Sequence, residues 1–175
     1  MRVLSWLIGL VVVGAVVFVI LGVTPLGRGP FQAMFAVGPI EKIDFTKMAS
    51  LRGPAQWLAC PGYDMCVELD DRTPIYDNDV NSIKRTWDRM LGELFPQLEL
   101  VQSDDTIRQY TYLQRRAFFQ LPDLVTVQIF PNGETRGSVA IFSRSVYSVG
   151  DFGSNSSRVI RMMDYLDEHL SLYKR

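Results

Sequence analysis

The sequence predicts an α+β fold: a single N-terminal transmembrane helix followed by a two-layer sandwich. The sandwich joins an antiparallel β-meander of three to four strands to two amphipathic helices. Three patterns carry that expectation. Residues 3–26 contain no charged side chain. Two later segments repeat apolar residues at spacings of three and four, the period of one helix face. Between them lie short apolar–polar alternations of period two, punctuated by Gly, Pro, Asn and Asp.

The apolar segment is built from Leu, Val, Ile, Phe, Gly and Ala, with no polar face of the kind a soluble helix needs. About 21 helical residues at about 1.5 Å each cover about 31 Å, the thickness of a bilayer's hydrocarbon core. Lipid offers the backbone no hydrogen-bond partner, so the segment should be helical throughout and end near Thr24-Pro25. A secretory signal is the rival reading, with a core of about 7–15 apolar residues and a small-x-small cleavage site. Here the apolar stretch is longer and runs into Val23-Thr24-Pro25-Leu26-Gly27, a poor cleavage site, with no Cys nearby to carry a lipoprotein anchor. The expectation is an uncleaved anchor over residues 1–26.

Arg2 and the α-amino group precede this helix, while Arg28 and Lys42 follow it among Glu41 and Asp44. The basic excess and the two-residue flank favour a cytoplasmic N-terminus. In a bacterium, that gives single-pass insertion in the inner membrane with the domain in the periplasm. Ser5 and Gly9 form one small-xxx-small step, and Gly14, Ala15 and Gly22 offer further close approach to partner helices.

Residues 27–56 are rich in Gly, Pro and Ala and read as a juxtamembrane linker, with only 33–40 looking structured. The domain is expected over 57–175. Residues 57–71 read as a loop in which Cys60 and Cys66 flank a Pro-Gly turn. In an oxidising compartment the pair would close a disulfide worth on the order of 2 kcal/mol. Two packed thiols are the alternative. The C-x5-C spacing is not that of a redox motif, and the remote His169 leaves too few ligands for zinc, so no metal is expected.

Residues 73–76 read as a short extended entry to a helix over 78–94. Its face is Val80, Ile83, Trp87, Met90, Leu91 and Leu94, with Asp77 or Asn78 as cap and Pro96 as terminator. Strand-like segments follow at 98–101, 106–114 and 124–130. The last alternates Val125, Val127 and Ile129 with Thr126 and Gln128. Pro131-Asn132-Gly133-Glu134 is a hairpin signal, since Asn-Gly readily takes positive φ. It pairs that strand with one over 135–143. A final helix over 154–173 carries Val159, Met162, Met163, Leu166, Leu170 and Tyr173, capped by Ser154 or Asn155.

The residues entering this last helix carry a resemblance. Ser143-Arg144-Ser145, Asp151-Phe152-Gly153, Asn155 and Arg158 resemble the signature S-R-S-x(5)-D-[FL]-G-x-N-x-x-R. That is the pattern of a bacterial family known as domain of unknown function 1499 (DUF1499). The similarity reaches back through 112–115, Phe119, Pro122-Asp123 and 125–127, and weakly to 74–77. The chain departs from the family at Val146-Tyr147-Ser148, where Arg-Val-Gly is common. The resemblance implies a membrane-anchored protein of that fold and no particular activity.

Physically, the signature has two readings. In one, a strand-to-helix turn is stapled by Asp151, Asn155 and Arg158, with Gly153 supplying an unusual backbone conformation. In the other, Ser143, Arg144, Ser145 and Arg158 converge with helix N-terminal amides on a carboxylate or phosphate.

Net charge is −1 and no basic stripe is present; Arg115-Arg116 and Lys174-Arg175 read as solvated ends, so nucleic acid is not an expected partner. Asp151-Phe152-Gly153 is spelled like the kinase magnesium motif, but the companion motifs are missing. No G-x-S-x-G elbow is present, and His169 falls off the apolar face of the last helix, so no catalytic set is assigned. Trp57 and Trp87 read as core residues, and Asp104-Asp105 as a turn. No cofactor is expected. The reading is a membrane-anchored, non-enzymatic envelope protein. Its partners are the lipid bilayer and a membrane or periplasmic protein, as for an accessory subunit of a membrane complex. A small-anion binding domain or enzyme is the alternative.

Overall fold

The computed structural model describes residues 2–51, 55–62, 64–117, 119–147 and 150–173, with the side chains of 2–5 and 49–51 left aside. Its element order explains how the N-terminal helix meets the rest of the chain. Helix α1, Arg2–Val23, has 22 residues, which at about 1.5 Å each is about 33 Å. Over most of its length its side chains point outward all round: Leu10, Val13 and Val17 are exposed. It is the one described helix long and apolar enough to cross a membrane.

Described residues of the expected 27–56 linker pack against the first helix and the sheet. A 3-10 turn, Pro25–Gly27, leads into the short helix α2, Arg28–Met34, which folds back on α1 so that Phe31 meets Phe18 with ring centres 5.5 Å apart. The chain then crosses the sheet. The Gln109 side chain bonds both backbone groups of Ile43 at 2.9 and 2.8 Å, and Gln102 donates to the Ile40 carbonyl. A 3-10 helix, Phe45–Leu51, completes the cover. Sparse but correctly placed apolar residues (Ile43, Phe45 and Met48) hold this segment down, while Gly and Pro disguise it.

The sheet has six strands among the described residues, more than the three to four expected. They are β1 (Gln56–Cys60), β2 (Asp71–Arg72), β3 (Glu99–Asp104), β4 (Gln109–Arg115), β5 (Pro122–Pro131) and β6 (Gly137–Ser145), in spatial order β2-β1-β6-β5-β4-β3. Only β1 and β2 run parallel, which makes the sheet mixed. The two extra strands stand at the two ends of the expected 57–71 loop, β1 at its start and β2 at its end. The five residues of β1 carry no clear alternation, yet the strand seats itself against β6 from Gln56↔Arg144 to Ala59↔Ile141. Cys60 and Cys66 are joined by a disulfide in the loop that follows it.

The β5–β6 hairpin is present with Gly133 at φ 79°, but its loop is longer than an Asn-Gly two-residue turn: pairing starts at Pro131↔Gly137 and is closed by Asn132 N–H to Arg136 C=O. Helices α3, Val80–Leu94, and α4, Ser154–His169, pack on one face of the sheet. Asp79 caps α3, in place of Asp77 or Asn78, and accepts from the amides of Asn81 and Ser82. The α4 helix stops at His169, short of the expected Tyr173. The chain turns extended there because its backbone finds partners across the body: Tyr173 N–H donates to Ile75 C=O, and Leu172 bridges to Tyr76.

Two apolar clusters result. The larger, under α3 and α4, centres on Trp87, Tyr76, Val127, Ile141 and Met162. Trp87 is fully buried and its indole N–H reaches the Tyr112 hydroxyl at 3.2 Å, whereas Trp57 is partly buried and donates to Asp71. The smaller cluster holds Met48, Leu58, Phe142 and the disulfide on the opposite face. The sheet is therefore covered on both sides, not one.

Candidate functional site: a closed carboxylate–guanidinium cluster

Strand alternation decides which signature residues can meet. On β6, Val139 and Ile141 face α4, so Ser143 and Ser145 continue that face and Arg144 does not. The Arg144 guanidinium lies 5.5 Å from the Phe142 ring on the other side of the sheet, where burial lowers its pKa from the ordinary value. Of the expected group Ser143, Arg144, Ser145 and Arg158, the period of two thus separates Arg144 from the rest.

What does converge is Asp123, at the start of β5. Its side chain is fully buried. Arg158 donates to one of its carboxylate oxygens at 2.9 Å, and Arg116 donates to both, at 2.9 and 3.1 Å. The Ser145 hydroxyl adds a further bond at 2.8 Å. The second terminal nitrogen of Arg158 reaches Ser143 Oγ at 2.6 Å and Asn155 Oδ1 at 2.7 Å. Asn155 in turn donates to the Ala55 carbonyl and to Ser145 Oγ. A buried ion pair is tolerable only when its leftover donors and acceptors are matched, and here they are.

Asp151 stays outside this network. It does not pair with Arg158; it accepts the amides of Gly153 at 3.1 Å and Asn155 at 2.7 Å. Burial raises its pKa, but those two amides outweigh it and hold the carboxyl below its ordinary value. Gly153 precedes the helix at φ 78°, a left-handed conformation glycine adopts freely, and neither Ser154 nor Asn155 caps the helix. Phe152, immediately before it, also stands at φ 52° and is fully exposed.

The anion that Ser143 and Arg158 would recruit is thus the chain's own carboxylate. Grooves of about 310, 370 and 470 Å³ open elsewhere, lined by Lys42 to Thr46, by Glu93 and Arg161, and by Asp77 to Asn81. Two members were missed as site residues in the sequence. Arg116 had been read as a solvated end, and Asp123 entered only through the resemblance. The signal was parity, since Asp123 shares a phase with Val125, Val127 and Ile129 on the buried face of its strand.

The remaining expected residues are dispersed. His169 is exposed and stacks on Tyr165 with ring centres 3.9 Å apart. Gly9 and Gly14 have open space beside them, whereas Gly22 is buried against Phe119, and the Ser5 side chain lies outside the described set. Ser148 and Lys174-Arg175 also lie outside the described residues. Compared with known proteins, the chain matches no family model and has no significant match among curated proteins.

Proposed function

We propose that this chain is a single-pass, membrane-anchored envelope protein of the DUF1499 type, whose domain docks on a membrane or periplasmic protein and performs no reaction of its own. The observation that carries the reading is the way the anchor is built into the fold. The Phe119 amide donates to the Gly22 carbonyl at 3.0 Å, and the Phe119 ring sits 5.2 Å from both Phe18 and Phe31. A segment removed on export would not be expected to share a core with the domain it delivers. The Cys60–Cys66 disulfide favours an oxidising compartment, and with the charges flanking α1 it supports a periplasmic domain and a cytoplasmic N-terminus.

Against the anion-binding alternative, Arg158 and Asp123 already satisfy one another and Arg144 lies on the other side of the sheet. Gly9 and Gly14, with no neighbour in the chain, suit the accessory-subunit form of the reading, in which α1 also packs on a partner helix. Affinity purification in mild detergent after chemical cross-linking in intact cells tests it. A stoichiometric membrane protein recovered with the chain is the expected result, and its loss on Gly9→Leu with Gly14→Leu would place it on α1. Recovery of the chain alone after cross-linking contradicts the proposal.

A further inference from the structure

The end of the sheet that carries the closed cluster also carries the most exposed aromatic side chain among the described residues of the domain. Phe152 is fully exposed, although its backbone is held at φ 52°, a conformation that a bulky residue adopts only at some cost. Asp151 and Gly153 fix that conformation from either side through the Asp151 carboxylate bonds to the amides of Gly153 and Asn155. Two bonds from one carboxylate thus hold the turn, and the Phe152 ring stands away from the protein.

Its position relative to α1 follows from register. Arg115 pairs with Pro122 and Asp123 with Ser145, so the β4–β5 and β6–α4 loops leave the same end of the sheet. Val146 N–H donates to Pro122 C=O, and Arg116 reaches Ser154 Oγ at 3.4 Å, which ties the two loops together. The first of them holds Phe119 against Phe18. Phe18 lies five residues before the end of α1, or about 8 Å back along the helix axis. With α1 across a bilayer, the Phe119 loop is drawn to the level where headgroups give way to acyl chains. Leu26 and Met34, beside the same helix end, are exposed at 81% and 63%.

We propose that this end of the domain rests on the bilayer, with the Phe152 ring inserted at the headgroup–acyl boundary as a second lipid contact beside the anchor. A span alone leaves a domain free to swivel. A second contact fixes its tilt and presents the opposite end, at the β5–β6 turn, to the aqueous side. Aromatic rings and aliphatic side chains at that boundary are the ordinary means of such seating, with insertion of about 5–10 Å. The inference rests on the reading of α1 as a retained anchor.

Site-directed spin labelling of the full chain, one copy per nanodisc of phosphatidylcholine and phosphatidylglycerol, tests it. The two native cysteines are joined to each other, so Val12→Cys, Phe152→Cys and Glu134→Cys each supply one free thiol. Collision with oxygen reports lipid, and collision with a nickel chelate reports water. The expected result is an oxygen-to-nickel ratio several-fold higher at 152 than at 134, with the highest ratio at 12. A label at 12 shielded in lipid with 152 as nickel-accessible as 134 overturns the seating and leaves the anchor standing. A water-exposed label at 12 overturns both. Shielding of 152 from both reagents marks a protein contact and overturns the seating.

Discussion

Polar side chains on three elements occupy positions that their neighbours make apolar. Asp123 continues the buried row of β5, Ser143 and Ser145 that of β6, and Asn155 and Arg158 fall on the same face of α4 as Val159, Met162 and Leu166. Each breaks the pattern of its own element, and together they satisfy one another. Asp123→Asn leaves Arg158 with a buried, half-matched charge, so a loss of about 3–5 kcal/mol in unfolding free energy is expected from denaturant melts. A loss under about 1 kcal/mol would contradict the account of the cluster. Ser143 and Arg158 were legible as a polar pair from the signature, but their partner was not. A reading element by element does not ask which rows meet, and the carboxylate was sought in Asp151, close in sequence, where the fold supplies it from 35 residues away.

The tyrosines add a pH dependence at the same scale. Burial raises Tyr76, with the adjacent Asp167 carboxylate adding to it, and burial raises Tyr112. Tyr110 is pushed up to about 12, first by burial and then by Asp105. A pKa raised in the folded state contributes stability that is present below the unfolded value near 10 and is lost as pH rises past it. Thermal melts should be flat from about pH 7 to 9 and fall above about 10. Tyr76→Phe should make that fall shallower, and an unchanged slope would refute the assignment.

Elements were legible in proportion to their periodicity. Helix α3, the apolar core of α4 and strands β5 and β6 repeat cleanly over seven residues or more, and the structure has them within a few residues of expectation. Strand β1 was invisible because its sequence, Gln-Trp-Leu-Ala-Cys, is buried on both faces in its second half and alternates nowhere. The disulfide after β1 closes a loop of seven residues, counting both cysteines, which by chain entropy is worth about 2 kcal/mol. Paired Cys60→Ala and Cys66→Ala should lower stability by about that amount, read by denaturant melts, while leaving the helix content seen by circular dichroism unchanged. At the junction, a Cβ at Gly22 would stand 2.4 Å from the Phe119 ring. Gly22→Leu should therefore displace the loop. Electron–electron distance measurements between labels at 12 and 134 should broaden in this variant, and a distribution as narrow as in the parent would show that the contact does not hold the domain.

At the scale of the whole molecule, described parts of the expected linker pack on the sheet although their composition does not show it. Segment 27–56 looked like a linker because a chain that merely covers a sheet needs few apolar residues, while its backbone is matched by side chains such as Gln109 and Arg115 reaching from the strands below. The consequence is that α1 and the domain share contacts: Phe18, Phe31 and Phe119 form one aromatic group to which α1, α2 and the β4–β5 loop each contribute a ring. The central claim is that α1 stays attached and is part of the working protein. Intact-mass spectrometry of the chain extracted from washed membranes tests this most directly. A mass that includes residues 3–23 is the expected result. A species beginning near Gly27, recovered from the aqueous fraction, would contradict the account.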